Sequence, residues 1–148
     1  MATVLVLVTT ADGAAGDVSL QALALGRRLA DGGAVHALVI ADEAAAAGLA
    51  EWGATNVHVA RHPAFDVPAP DAWARVAADL AERLGADFLI GPGTEEGNTV
   101  LARAAARSDL PFAANCTDVV PGDPVTVTRL RWGGSLLEEA AIHGSRAI

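Results

Sequence analysis

Hydrophobic positions along this chain follow two alternating rhythms. Residues from Thr3 to Thr9 form an unbroken run of β-branched residues and leucine, short enough for a strand buried on both faces. A loop with Asp12, Gly13 and Gly16 follows, then a helical stretch from about Leu20 to Ala30. Asp17 or Ser19 can cap its start, and Asp31-Gly32-Gly33 stops it. Val35 to Ile40 reads as a second buried strand. Asp42 then opens a short Ala-rich helix ending near Trp52-Gly53, and Asn56 to Ala60 is a third strand. After a connection holding Pro63, Pro68 and Pro70, Asp71 caps the clearest helix. Trp73, Val76, Ala77, Leu80, Ala81 and Leu84 make one stripe of a 3.6-residue period, and Gly85 closes it. Phe88-Leu89-Ile90 is a fourth buried strand. Gly91-Pro92-Gly93 breaks it, Thr94 or Asn98 starts the next helix, and Leu110-Pro111 ends that helix.

Strands alternating with helices mean βαβ units and a mostly parallel sheet. Right-handed crossovers in the usual doubly wound order set the first strand beside the fourth. The helical period does not return after residue 111. Ala113 to Val120 is extended, Pro121-Gly122-Asp123-Pro124 turns, and Val125 to Trp132 alternates as a half-exposed strand. Gly133-Gly134 signals a two-residue hairpin, Ser135 to Ile142 returns, and Ser145 to Ile148 looks like another strand beginning. The expected fold is α/β: one domain over 1–148, with doubly wound, Rossmann-like βαβ units over 1–111 and an antiparallel β tail over 112–148.

Composition narrows the function classes. Apolar residues are 52% of the 148 and charged residues 19%, which excludes disorder. No apolar run approaches the roughly 20 residues of a membrane-spanning helix, and no basic leader precedes the first strand, so a cytoplasmic location is the default expectation. Eighteen acidic residues against ten basic ones give a net charge of −8, which repels nucleic acid. All the basic residues are arginine, so no P-loop lysine exists.

Candidate chemistry centres on Gly91-Pro92-Gly93-Thr94-Glu95-Glu96-Gly97-Asn98. It leaves a buried strand, opens a helix, and falls at the sheet's carboxyl edge near the switch point where such folds bind ligands. Free N–H groups there could hold an anion, but Glu95 and Glu96 oppose a phosphate and complement the helix dipole. The segment reads either as a structural turn or as a contact for a ligand or partner. The loop from Thr9 to Asp17 reads as a flexible connection beside it. His36, His58, His62 and His143 lack metal-ligand spacing. Cys116, with no cation or helix start near it in sequence, reads as a buried thiol. Glu138 and Glu139 point to opposite strand faces and cannot pair as acid and base. Arg129 and Arg131 share the face opposite Trp132. Trp132, beside two glycines, reads either as an anchor in a partner's pocket or as a cap on this domain's own core.

The order of segments carries a resemblance. Ser19 to Leu29, Val35 to Ile40, Gly53 to Val59, Gly91-Pro92-Gly93-Thr94 with Gly97, Leu101 to Arg107, Thr117-Asp118-Val119 and Arg131-Trp132-Gly133-Gly134-Ser135 together resemble the N-terminal domain of the electron transfer flavoprotein alpha subunit. The resemblance implies an electron carrier subunit rather than a catalyst. It implies a beta subunit of similar α/β fold as partner. FAD would be held mainly by a second, C-terminal domain beyond this chain, and electrons would pass from flavin dehydrogenases to a downstream acceptor. The partner-contact candidates are Gly91, Gly93, Thr94, Gly97, Asn98, Arg129, Arg131 and Trp132; no catalytic or metal site is expected. The family's loop usually follows its glycine with Arg and an acid, whereas Gly97 is followed here by Asn98 and Thr99, which points to a specialised partner set. The competing reading is a stand-alone nucleotide-binding module of the universal-stress type. It wants a Gly-x-x-Gly loop followed by Gly-Ser/Thr, which residues 91–98 do not supply. An ATP-pyrophosphatase is a further alternative, but Thr9 to Gly13 is not its Ser-Gly-Gly-x-Asp-Ser loop.

Overall fold

A computed structural model describes all residues, 1–148. The main sheet holds β1 (Val4–Val8), β4 (Val35–Ile40), β5 (Asn56–Ala60) and β6 (Phe88–Ile90) in the order β5-β4-β1-β6, and every pairing in it is parallel. The first and fourth long strands therefore lie side by side, as the crossover rule requires. Helix α1 (Asp17–Ala30) covers one face, and α2 (Pro70–Leu84) and α3 (Glu95–Ser108) cover the other. The two-residue period of β1 divides the core. Val4, Val6 and Val8 pack with Leu23 and Leu29 of α1, while Leu5 and Leu7 pack with the alanines of α2 and α3.

Several local expectations are corrected. The segment after β1 is no flexible link: β2 (Thr10–Ala11) and β3 (Ala14–Ala15) pair as a small hairpin. Asp12 and Gly13 turn it with φ of 53° and 77°, the left-handed pair that an Asp-Gly two-residue turn demands. Neither Asp17 nor Ser19 caps α1, whose N-cap is Gly16; Ser19 is fully buried and binds the end of β1 instead. Asp71 does not cap α2. Pro70 occupies the first turn after Ala69, where a missing N–H costs nothing. The buried stripe of α2 is also rotated: Ala74, Ala77, Ala78, Leu80 and Ala81 are buried, with Trp73, Val76 and Leu84 at its margin. The Ala-rich stretch forms two single turns of 3-10 helix, Glu43–Ala46 and Leu49–Trp52, because Gly48 in the left-handed region divides them.

The tail forms an antiparallel sheet of β7 (Cys116–Val120), β8 (Val125–Arg131) and β9 (Leu136–Ile142). Its inner face sends Val125 and Val127 into the α1-side core, and an Arg28–Asp118 ion pair of 3.4 Å ties it to α1. The turn between β8 and β9 is longer than Gly133-Gly134 suggests. Arg131 pairs with Leu136, so Trp132, Gly133, Gly134 and Ser135 all lie in the loop. The last residues do not extend the antiparallel sheet. Ala147 bridges Phe88 in parallel at the edge of the main sheet, its N–H donating to Asp87 O at 3.1 Å and its carbonyl accepting from Leu89 at 3.0 Å. No helix is long and apolar enough to cross a membrane.

Candidate functional site

The carboxyl ends of β1 and β6 define one edge of the molecule, and most of the residues singled out in the sequence meet there. Thr94 caps α3: its Oγ1 accepts from the Gly97 N–H at 3.1 Å. This folds residues 91–97 tightly back on themselves. A methyl on Gly97 would lie 2.1 Å from the Pro92 carbonyl oxygen, and one on Gly91 would lie 3.0 Å from Leu101 Cδ1 and 3.2 Å from Leu7 Cβ. Gly91 and the buried Gly97 thus let strand, loop and helix approach closely. Their glycine identity is explained by packing within this chain. Gly93 is exposed and Asn98 half-buried. Asn98 Nδ2 donates to Asn115 Oδ1 at 3.0 Å, which fastens the loop to the residue preceding β7. Asn115 holds φ of 57°, a left-handed position that asparagine tolerates better than most residues. Nothing in the spacing of Asn98 and Asn115 marks them as partners.

Two clefts flank this loop. One, of about 650 Å³, lies between the starts of α1 and α3 and is lined by Thr10, Asp17, Trp73, Thr94, Glu95 and Glu96 among others. No basic residue lines it. The other, of about 660 Å³, runs from Gly93 and Asn115 past Cys116 to Arg131, Trp132 and Gly133. The hairpin tip and the switch-point loop therefore share one surface, which sequence separation conceals.

At that tip Trp132 is 80% exposed, so it does not cap the domain's core. It also sits at φ of 54°, followed by Gly133 at 63° and Gly134 at 88°. A bulky residue in the left-handed region is an outlier that persists only where something over-determines it, and such outliers gather at functional surfaces. Leu130 and Leu137, paired on one face of the hairpin, are 40% and 70% exposed, and Leu136 on the other face is 52% exposed, so the tip carries apolar surface on an acidic protein. Arg129 and Arg131 share a face, as the period predicts, and converge on Glu138 at 2.7 and 3.2 Å. Hydrogen bonding from Arg129, with both guanidinium charges nearby, holds the Glu138 carboxyl below the usual range. Arg129 does not join the exposed surface: it is mostly covered, and it stands opposite Cys116 in the β7–β8 register. Cys116 thus has a cation close by after all, yet burial outweighs it and pushes the thiol upward. A protonated thiol is a poor nucleophile. No cluster of three or more metal-ligating side chains exists.

One pair escapes the sequence pattern altogether. His36 on β4 and His58 on β5 are brought together by the parallel register, with Nδ1 and Nε2 2.9 Å apart.

Residues 4–145 match the electron transfer flavoprotein domain. The chain belongs to the electron transfer flavoprotein family. It is 33% identical over 130 residues to Protein FixB of Clostridium saccharobutylicum, covering 84% of this chain and 39% of that protein. It is 28% identical over 138 residues to the electron transfer flavoprotein subunit alpha of Bacillus subtilis, covering 91% of this chain and 42% of that protein. The electron transfer flavoprotein domain here is accordingly of the alpha-subunit, N-terminal type. The chain spans about two fifths of the length of both relatives.

Proposed function

We propose that this chain is the scaffold domain of an electron transfer flavoprotein alpha subunit, and that it docks a beta subunit of related α/β fold. The resulting FAD-containing heterodimer carries electrons from flavin dehydrogenases to a downstream acceptor. The observation that carries the docking role is the hairpin tip. It presents a strained, 80% exposed Trp132 amid exposed leucines, in continuity with the switch-point loop through one cleft. An aromatic anchor in an apolar patch is what partner interfaces concentrate their energy in.

The side chains at this edge do not fit the pyrophosphate of FAD. Asp17, Glu95 and Glu96 line one cleft without any basic residue, and Arg131 in the other is already engaged by Glu138. This chain's part in flavin chemistry is therefore positional, with the cofactor held mainly by the C-terminal domain that the family's alpha subunits carry. The acidic start of α3 equally disfavours a nucleotide-binding module.

Two measurements test the proposal. The purified chain titrated with FAD is expected to show no stoichiometric micromolar binding by flavin fluorescence. Mixed with its beta subunit, it is expected to co-elute in size-exclusion chromatography, and Trp132→Ala is expected to weaken that association at least tenfold without changing the melting temperature of the isolated domain. Association unaffected by Trp132→Ala removes the docking role of the tip.

A further inference from the structure

We propose that His36 and His58 form a two-imidazole site for a late first-row divalent metal ion, with copper(II) as its best-fitting occupant. The two residues lie 22 positions apart in the chain and carry no ligand motif. The sheet makes them neighbours. Because β4 and β5 are parallel, with His36 opposite Asn56 and Leu38 opposite His58, the two histidines stand diagonally on the same face. β5 is the outermost strand, and both side chains are half-buried rather than sealed, so water can reach the pair and complete a coordination shell.

The separation lets both nitrogens reach one metal ion after a small rotation of the rings. Metal–imidazole bonds of about 2.0 Å meeting at a right angle place their nitrogens about 2.8 Å apart, whereas a tetrahedral angle places them about 3.3 Å apart. His36 Nδ1 and His58 Nε2 are 2.9 Å apart, close to the right-angled value that copper(II) and nickel(II) prefer. In the metal-free protein the same separation serves a single N–H···N hydrogen bond between near-parallel rings, 26° apart and stacked at 5.2 Å. On loading, the proton of the donor ring moves through water to that ring's other nitrogen, leaving both imidazoles neutral, and the rings turn so that both lone pairs converge on the metal. Neither imidazole makes any other side-chain hydrogen bond, so the turn breaks no further polar contact. Copper lies at the top of the affinity order for nitrogen sites, and a chain of net charge −8 favours cation approach.

The test adds copper(II) to the intact chain and records electron paramagnetic resonance, with ¹⁵N-edited NMR of the backbone in parallel. The expected result is one copper per chain, a tetragonal signal with nitrogen hyperfine structure, and first broadening of amides in β4 and β5. His36→Gln and His58→Gln should each weaken binding at least tenfold, while His62→Gln and His143→Gln leave it unchanged. Binding that survives both first variants, or that is lost in His62→Gln or His143→Gln, overturns the site. If His36→Gln or His58→Gln does not fold, the wild-type broadening map decides: amides of the chain start or of residues 62–65 broadening before β4 and β5 overturn it as well.

Discussion

Gly97→Ala tests whether the switch-point loop is as tight as its geometry demands. The new methyl would meet the Pro92 carbonyl oxygen at 2.1 Å, Pro92 Cγ at 2.9 Å and the Pro92 carbonyl carbon at 3.1 Å, against an ordinary contact of 3.4–4 Å. Two of these neighbours are backbone atoms, so relief requires the loop or the start of α3 to move by more than an ångström. Overpacking of this kind costs up to about 3 kcal/mol. The movement also endangers the Thr94–Gly97 capping bond, worth about 1 kcal/mol, while alanine regains about 1 kcal/mol of helix propensity over glycine. The expected net loss is about 3 kcal/mol, or roughly 6–12 °C in melting temperature for a chain of this size. Gly26→Ala in α1 is the matched control. Its methyl meets Val6 Cγ2 at 3.0 Å, the end of a side chain, and the same helix propensity is gained, so it should melt within a few degrees of the unmodified protein. Urea and thermal unfolding of both variants, followed by circular dichroism, give the comparison. If Gly97→Ala is as stable as Gly26→Ala, the glycine is not there for close packing, and a direct ligand role for its bare backbone returns.

Ser19→Ala should cost about 1–2 kcal/mol in urea unfolding, because it strips the Thr9 N–H of a 2.9 Å acceptor at the end of β1; no change would mean the bond is dispensable. Trp132→Ala should leave the isolated domain within about 0.5 kcal/mol of wild type, as exposed substitutions do; a larger loss would show that the tip braces the fold. The His36 pair sets a pH dependence. Its folded-state affinity for a proton is lowered by burial first and His58 second, so the unfolded chain binds the proton more readily. The contribution is therefore complete above the ordinary histidine range of about 6.5 and declines as pH falls through the window down to the lowered folded value. Urea midpoints across that window should fall less steeply in His36→Gln than in wild type; parallel curves would refute the assignment.

Three strands of the main sheet were legible because they are buried on both faces, while the edge strand Asn56–Ala60 is not. Val4 to Val8 and Phe88 to Ile90 have no polar position to blur their limits, and Val35 to Ile40 has only His36. The end of α3 was equally clear, since Pro111 cannot follow a continuing helix. Helix starts were less so. Asp17, Ser19 and Asp71 all have capping chemistry, but the backbone placed Gly16 and Ala69 at the caps, and side-chain type alone cannot reveal which residue leaves the helix. The Asp12-Gly13 hairpin was written in the sequence, and its flanking strands of two residues each are too short to show alternation. At the candidate site, the loop 91–98 and Trp132 could be singled out as local signals. Their meeting through Asn115, the Arg129–Glu138–Arg131 cluster and the His36–His58 pair depend on register between distant strands, which no local pattern encodes.

The final residues give the β tail an unusual mechanical status. Ile148 N–H donates to the Pro111 carbonyl and the Ala113 N–H donates to the Ile148 carbonyl, at 3.0 and 2.9 Å, while Ala147 is stitched to β6. The excursion from 113 to 148 thus leaves and rejoins the sheet at one shared knot, like a lever clamped at both roots. Both roots of the hairpin that carries Trp132 therefore meet beside Phe88 and Leu89, the strand that feeds the switch-point loop.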